Sequence, residues 1–178
     1  IVSAEGGAPQ ELTAEERIEK DPGWSPDGKM LVFGITTDTP TIHLINLNTR
    51  EVTKLPGSEG MYSPRWSPDG RYIFTLSSDT QRMMLFDRTL EKWNVLATTG
   101  AGWPHWSQDG KYIYFSDFKA LFRLRIDDRQ IEQLAAFKDL RLASGSSGPW
   151  IGWAPDDSPL VLRDLGFQEI YALEWQTP

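Results

Sequence analysis

Side chains that could catalyse acyl transfer are few in this sequence. That chemistry needs a nucleophile, a base and a group that orients the base, and the 178 residues include no cysteine and only two histidines, His43 and His105. His43 falls within an apolar run typical of a strand, which favours a structural role. The Ser144–Gly148 stretch resembles a nucleophile elbow, but Gly-x-Ser-x-Gly is not satisfied. We therefore predict no catalytic residue.

Four aspartates recur along the sequence, and each could either bind a metal ion or form a turn. One aspartate stands in each of four related segments: Asp27, Asp69, Asp109 and Asp156. They are tens of residues apart, and Asp-Gly between apolar runs is typical of a hairpin turn. The sequence has no Gly-rich phosphate loop and no His-x-x-x-His pair. We predict that these aspartates build turns and that the chain binds no metal or other cofactor.

These aspartates belong to a repeat that indicates the fold. Each segment opens with tryptophan followed by Ser-Pro-Asp-Gly or a variant of it, with spacings of 42, 40 and 47 residues between Trp24, Trp66, Trp106 and Trp153. Periods of about 40–45 residues with four strands per unit are typical of propeller blades. We predict an all-β chain, a partial β-propeller of about four four-stranded antiparallel blades, with each tryptophan buried between adjacent sheets.

The repeat resembles that of the TolB-like propeller family. The resemblance rests on Trp24–Phe33 and its three counterparts; Leu55–Trp66 and Gln168–Trp175 are most similar to the C-terminal propellers of bacterial winged-helix regulators and Ser/Thr kinases. Related WD-like repeats occur in prolyl-oligopeptidase-type peptidases. The resemblance implies a fold that hosts many functions. It favours a periplasmic or other extracytoplasmic location, with the cytoplasm as the alternative.

The repeat also sets the expected organisation of the chain. We expect one propeller segment, with the tail of a preceding blade at 1–13, blades at 22–57, 62–98 and 102–135, and a blade at 148–178 that lacks its fourth strand. Thr13 begins a Ser/Thr-x-x-Glu pattern that predicts a short helix. Either Pro9–Leu12 completes the last blade in a small ring, or the ring needs further blades or a second copy of the chain. The uncovered sheet edge calls for such completion, and we favour the second arrangement.

Binding residues are expected on the first strand of each blade and in the loops before it, because these strands run nearest the central channel. The candidates lie shortly before three of the blade tryptophans. They are Tyr62, Arg65, Trp103, His105 and Trp150. They would supply stacking surfaces and two polar groups to a peptide, a protein loop or a small polar ligand. The alternative is that Trp103 and Trp150 pack between blades.

Charge and hydropathy exclude two classes of partner for this segment. The net charge is −7 with no cluster of lysine or arginine, whereas nucleic-acid binding depends on neutralising phosphates. No apolar run approaches the roughly 18 residues that cross a bilayer. We therefore predict a non-catalytic recognition propeller, part of a larger bacterial sensor, regulator or Tol-like envelope protein. The alternative is the gating propeller of a prolyl-oligopeptidase-type serine peptidase, and a third interpretation is a lyase or glycosidase propeller with a carboxylate site in its channel.

Overall fold

Three four-stranded antiparallel sheets follow one another along the chain. The computed structural model describes residues 1–13, 18–79, 81–138, 140–145 and 148–166. Within each sheet the strands lie in sequence order. The first sheet contains β1 (Glu19–Trp24), β2 (Met30–Ile35), β3 (Thr41–Asn46) and β4 (Val52–Lys54). The second contains β5 (Met61–Trp66), β6 (Tyr72–Ser77), β7 (Met83–Asp87) and β8 (Lys92–Ala97). The third contains β9 (Gly102–Trp106), β10 (Tyr112–Ser116), β11 (Ala120–Arg125) and β12 (Ile131–Ala136).

Two short hairpins follow the third sheet. One pairs β13 (Ser144–Gly145) with β14 (Gly148–Pro149), and the other pairs β15 (Ile151–Trp153) with β16 (Pro159–Val161). The remaining strand expected in the last blade, Ile170–Leu173, and the Gln168–Trp175 stretch lie outside the described residues. So do residues 14–17, which include most of the predicted helix start.

Each of the first three repeats turns at its Asp-Gly pair. Gly28, Gly70 and Gly110 have φ values of +68°, +72° and +69°, a region that glycine enters without the steric cost that other residues carry. The turns place β1 against β2, β5 against β6 and β9 against β10 in register with the blade tryptophans, for example Trp66 opposite Ile73. The repeated motif is thus the connection between the first and second strands of each sheet.

The sheets pack face to face in succession, and the first strand of each sheet lies against the preceding sheet. Strand β5 contacts β1, β9 contacts β5, and β15 contacts β9. One apolar cluster fills the space between the first and second sheets and includes Val32, Ile42 and Trp66. A second cluster fills the space between the second and third sheets and includes Phe74 and Trp106. This arrangement is a fan of sheets around an axis on the side of the first strands.

Burial of the repeated tryptophans depends on the sheet that precedes each one. Trp66 and Trp106 are 8% and 5% exposed, whereas Trp24 is 55% exposed. The Trp106 indole N–H donates to the Arg65 carbonyl at 3.3 Å, so this ring faces the preceding sheet. The prediction of burial is therefore wrong for Trp24, because within the described part of the chain no sheet stands on that side of it.

The N-terminal residues lie against the free face of the first sheet. Ile1 and Gln10 exchange two backbone hydrogen bonds, each of 2.7 Å, and Gly6 and Gly7 between them have positive φ. Leu12 packs on an apolar cluster formed by Leu31, Phe33, Ile35 and Ile45. The segment at 1–13 therefore folds back on itself and covers part of this face.

Candidate functional site

A bulge interrupts each first strand three residues before its tryptophan. Asp21, Ser63 and Trp103 have φ values of 52°, 55° and 54°, and strand pairing shifts register at each point. Positive φ is uncommon for residues other than glycine, and bulges commonly re-aim side chains near functional sites. The first strands of all three sheets thus interrupt their backbone pairing at the same position of the repeat. The interruption leaves space there for other side chains or for a ligand.

The bulges border a cavity of about 610 Å³ at the junction of the second and third sheets, here called the inner groove. Three of the five predicted binding residues line it: Tyr62, Arg65 and Trp103. A second cavity of about 250 Å³ at the junction of the first and second sheets shares part of its lining with the inner groove. The shared residues are Asp21, Tyr62 and Ser63. The two cavities therefore form one trough along the bulged strands.

Arg65 supplies positive charge to the inner groove. Its Nη1 donates to the Pro64 carbonyl at 2.7 Å. Burial lowers the pKa of Arg65 below its ordinary value, and the negative charge of Asp21 acts in the opposite direction. Burial also raises the pKa of Tyr62, and Asp21 adds to that effect. At neutral pH the groove therefore presents a guanidinium cation and a protonated phenol.

His105 contributes to the contact between the third sheet and the last hairpin. Its ring stacks on Trp153 with centroids 6.2 Å apart and planes 9° apart, and Tyr114 stacks on the same indole at 4.4 Å. Desolvation lowers the pKa of His105, Asp157 opposes that shift, and Arg65 adds to it. His105 lies close enough to Arg65 for this repulsion, but its ring belongs to the aromatic stack.

The two additional tryptophans occupy different positions. The Trp103 indole N–H donates to the Pro149 carbonyl at 2.6 Å, so the wall of the inner groove is tied to β14. Trp150 is 46% exposed, and its ring lies against the backbone of Gly152, where an added Cβ would be 2.5 Å from the ring. The structure therefore brings Trp103, but not Trp150, together with Tyr62 and Arg65.

The four aspartates lie in turns, as predicted, and in the first three repeats each accepts a hydrogen bond from the serine that follows the tryptophan. Asp69 accepts from Ser67 Oγ at 2.6 Å and from the Arg71 N–H at 2.9 Å, and Ser67 Oγ accepts from the Tyr72 N–H at 2.8 Å. The same bonds recur around Asp27 with Ser25 and around Asp109 with Ser107. In the last repeat alanine replaces this serine, and Asp156 accepts from the Ser158 N–H at 3.0 Å.

Hydrogen bonding keeps these turn carboxylates ionised. The Ser25 hydroxyl, followed by the Lys29 N–H, lowers the pKa of Asp27. For Asp69 burial acts to raise the pKa, but the bonds from Ser67 and Arg71 outweigh it, and the net pKa is lowered. The Lys111 N–H, followed by Ser107, lowers the pKa of Asp109. Each turn is therefore stabilised by a charged aspartate.

Several groove residues were missed because strand alternation alone does not locate them. Asp21 and Ser63 line the groove through their bulges, and Asp117 and Phe118 reach it from the turn after β10. The shared position of Asp21, Ser63 and Trp103, three residues before a repeated tryptophan, is a signal that the sequence does contain. Among the described residues, no group of three metal-ligating side chains is found, and no helix there is long and apolar enough to span a bilayer.

Comparison with known proteins places this fold among β-propellers. No protein-family model matches the chain. A stretch of 62 residues is 40% identical to the Tol–Pal system protein TolB of Alcanivorax borkumensis, covering 33% of this chain and 14% of that protein. A stretch of 93 residues is 31% identical to the uncharacterized peptidase YuxL of Bacillus subtilis, covering 49% of this chain and 14% of that protein. The chain thus matches only a small part of either relative.

Solved structures agree with these matches. TolB of Acinetobacter baumannii superposes with a TM-score of 0.64 at 21% identity, over 82% of this chain and 37% of that one. A TolB-like protein of Agrobacterium tumefaciens gives 0.63 at 25% identity, over 72% and 52%. An acylaminoacyl peptidase of Pyrococcus horikoshii gives 0.58 at 13% identity, over 82% and 32%. The predicted all-β, partial β-propeller fold is confirmed, and it is TolB-like; the particular likeness to regulator and kinase propellers stays a prediction.

Proposed function

We propose that this chain is a non-catalytic propeller segment that recognises an extended stretch of a protein or peptide partner. The observation that carries the proposal is the trough formed by two adjoining cavities of about 610 and 250 Å³ along the bulged first strands. Ligand sites commonly enclose about 300–1,000 Å³ and combine apolar walls with a few polar groups. The trough has both, with Trp103 and Tyr62 as stacking surfaces and Arg65 as a polar group.

An extended peptide suits this trough better than a compact ligand does. The trough crosses two junctions between sheets, and the bulges at Asp21, Ser63 and Trp103 interrupt the regular strand pairing along it. Backbone groups released from a ladder can bond a peptide backbone, as in recognition by strand addition. The second class of ligand is a small polar molecule, which would occupy the inner groove alone.

The TolB matches favour a larger bacterial protein as the setting. TolB from Alcanivorax borkumensis belongs to the Tol–Pal system, and by similarity we place this chain in a Tol-like envelope protein or in a bacterial sensor or regulator. In that setting the propeller is a scaffold for binding, and the location is extracytoplasmic. Immunodetection of the full-length protein in periplasmic and cytoplasmic fractions tests the location.

A serine peptidase is the second candidate for the full-length protein, because two peptidases are among the proteins that resemble this chain. In that case the propeller would gate access to a separate hydrolase domain. A fluorophosphonate probe distinguishes the two, since it labels an active serine hydrolase. Labelling of the full-length protein would support the peptidase; no labelling, with a labelled peptidase as positive control, would support the recognition protein.

The exposed face around Trp24 is proposed to be covered by another blade. Leu31, Phe33 and Ile45 form an apolar cluster on this side, and Trp24 occupies the position at which Trp66 and Trp106 pack on a preceding sheet. Further blades of the same protein or a second copy would complete the ring. Sedimentation at micromolar concentration tests self-association: a dimeric mass supports it, and a monomeric mass leaves further blades as the cover.

Selection from a displayed library of random 12-residue peptides tests the recognition role. We expect the immobilised chain to enrich a family of peptides whose binding Tyr62→Ala weakens at least tenfold. Leu90→Ala is the matched control, because Leu90 is 60% exposed and does not line the trough. Enrichment of no peptide above the uncoated surface, or equal binding by wild type and Tyr62→Ala, would contradict the proposal.

A further inference from the structure

Arg65 lacks the carboxylate contact that three other arginines in or next to the second and third sheets have. Arg71 pairs with Asp87 at 2.8 Å, Arg123 with Glu132 at 2.7 Å, and Arg125 with Asp128 at 2.8 Å. Across the ranges that the structure describes, no carboxylate oxygen lies within 4 Å of the Arg65 guanidinium, whose Nη1 donates to the Pro64 carbonyl. Because a partly buried cation without a close anion is unfavourable, this group is suited to an anion from outside the chain.

The surroundings of Arg65 would strengthen such an interaction. It lies in the inner groove, which also has Tyr62, Trp103 and Phe118 in its walls. These aromatic walls reduce the contact of Arg65 with water, and a lower local dielectric strengthens attraction between opposite charges. A guanidinium presents five donors in a planar fork that matches a carboxylate. Only one nitrogen of Arg65 has a hydrogen bond within the described chain, so the remaining donors can serve a ligand.

Acidic side chains on either side limit the kind of anion that fits. Asp21 attracts the Arg65 guanidinium over a longer range, and Asp117 also lines the inner groove. A densely charged anion such as a polyphosphate would be repelled by these two carboxylates, whereas one carboxylate on an otherwise neutral ligand would meet Arg65 with less opposition. The aromatic walls favour an apolar or aromatic group beside that carboxylate.

We infer that Arg65 is the anchor for a single carboxylate of the bound polypeptide, with an aromatic or apolar residue beside it against Trp103 and Phe118. The inference rests on the recognition role proposed above. The carboxylate comes from an aspartate or glutamate side chain or from a C-terminus, and the chemistry at Arg65 is the same in both cases. Arg65 acts by binding and orienting the ligand, and no bond is made or broken.

Three small probes test the anchor by NMR titration of the Arg65 Nε–H and the Trp103 indole N–H. Acetyl-Asp-Phe-amide carries a side-chain carboxylate, acetyl-Gly-Phe with a free C-terminus carries a terminal one, and acetyl-Asn-Phe-amide is the neutral control. We expect at least one anionic probe to bind with a Kd at least tenfold lower than that of the neutral probe. The tighter of the two anionic probes identifies the source of the carboxylate.

Substitutions assign this difference to Arg65. Arg65→Gln should remove the preference for the anionic probe, and Arg65→Lys should retain part of it because the charge remains while the fork is lost. Arg125→Gln is the matched control, since Arg125 pairs with Asp128 away from the groove. Equal affinity of the wild type for charged and neutral probes overturns the inference, as does an unchanged preference in Arg65→Gln. The wild-type comparison decides the question even if Arg65→Gln does not fold.

The two proposals fail in different ways. Displayed peptides that bind at Tyr62 without needing a carboxylate would overturn the anchor and leave the recognition role standing. Binding of the anionic probe through Arg65 with no peptide selected from the library would overturn polypeptide recognition and support the carboxylate site alone.

Discussion

Replacing Trp66 by alanine should remove one of the main contacts between the first and second sheets. The indole is 8% exposed and lies within the apolar cluster that joins the two sheets. A buried aromatic side chain covers about 150–250 Å², which at about 25 cal/mol per Å² gives an upper limit near 4–6 kcal/mol. Large-to-small substitutions of buried aromatics cost about 3–5 kcal/mol. We therefore expect Trp66→Ala to lose about 3–5 kcal/mol of unfolding free energy.

Trp24→Ala is the matched control, because Trp24 occupies the same position of its repeat but is 55% exposed. Less than half of its surface is covered, so by the same area estimate the loss should not exceed about 3 kcal/mol and should be smaller than that of Trp66→Ala. Urea unfolding followed by far-UV circular dichroism measures both variants, with the midpoint read at an unchanged m-value. A loss below about 1 kcal/mol for Trp66→Ala, or equal losses for the two variants, would refute the packing of each tryptophan on the preceding sheet.

Three further predictions concern the turns and the groove. Ser67→Ala should cost about 1–3 kcal/mol in urea unfolding, because it removes two hydrogen bonds, the one that Ser67 Oγ accepts from the partly buried Tyr72 N–H and the one that it donates to Asp69; a loss of a few tenths would contradict this role. Gly102→Ala should weaken binding of the selected peptides severalfold with little change in Tm. The new Cβ would be 2.7 Å from the Phe118 ring and would displace that ring in the groove. Unchanged affinity would show that Phe118 does not contact the peptide. Acidification should destabilise the fold below about pH 4, because Asp27 and Asp109 have folded-state pKa values below 3.8. The stability that these two carboxylates contribute is present above their unfolded-state pKa and is lost as the pH falls through their folded-state pKa. If the Tm of an Asp109→Asn variant fell as steeply as that of the wild type between pH 5 and pH 2.5, this contribution would be contradicted.

Much of the fold could be predicted from the sequence because one local motif recurs. Trp66 and Trp106 each lie before an Asp-Gly turn, and the turn chemistry and the apolar runs depend only on neighbouring residues. Burial of Trp24 could not be predicted in the same way. It depends on whether another sheet lies next to the indole, and the repeat pattern carries no information on that.

The candidate site could be predicted only in part. Tyr62, Arg65 and Trp103 were found because they precede a blade tryptophan, and they do line one cavity. His105 has a similar place in its repeat, but its ring stacks on Trp153 of the next unit. Arg65 and His105 therefore differ in their surroundings because of the unit that packs on each strand, which the sequence of the strand does not reveal. The bulge at Asp21 was missed because the alternation of strand side chains assumes regular pairing, and a bulge breaks that alternation.

The most direct test of the recognition role is a map of the indole N–H signals during titration with a selected 12-residue peptide. The chain has eight tryptophans, one of which, Trp103, lines the inner groove, while Trp24 lies on the free face of the first sheet. The proposed role predicts that the largest saturable shift belongs to Trp103 and that the Trp24 signal stays unchanged. A largest shift at Trp24 would place the partner on the free face and contradict recognition in the trough.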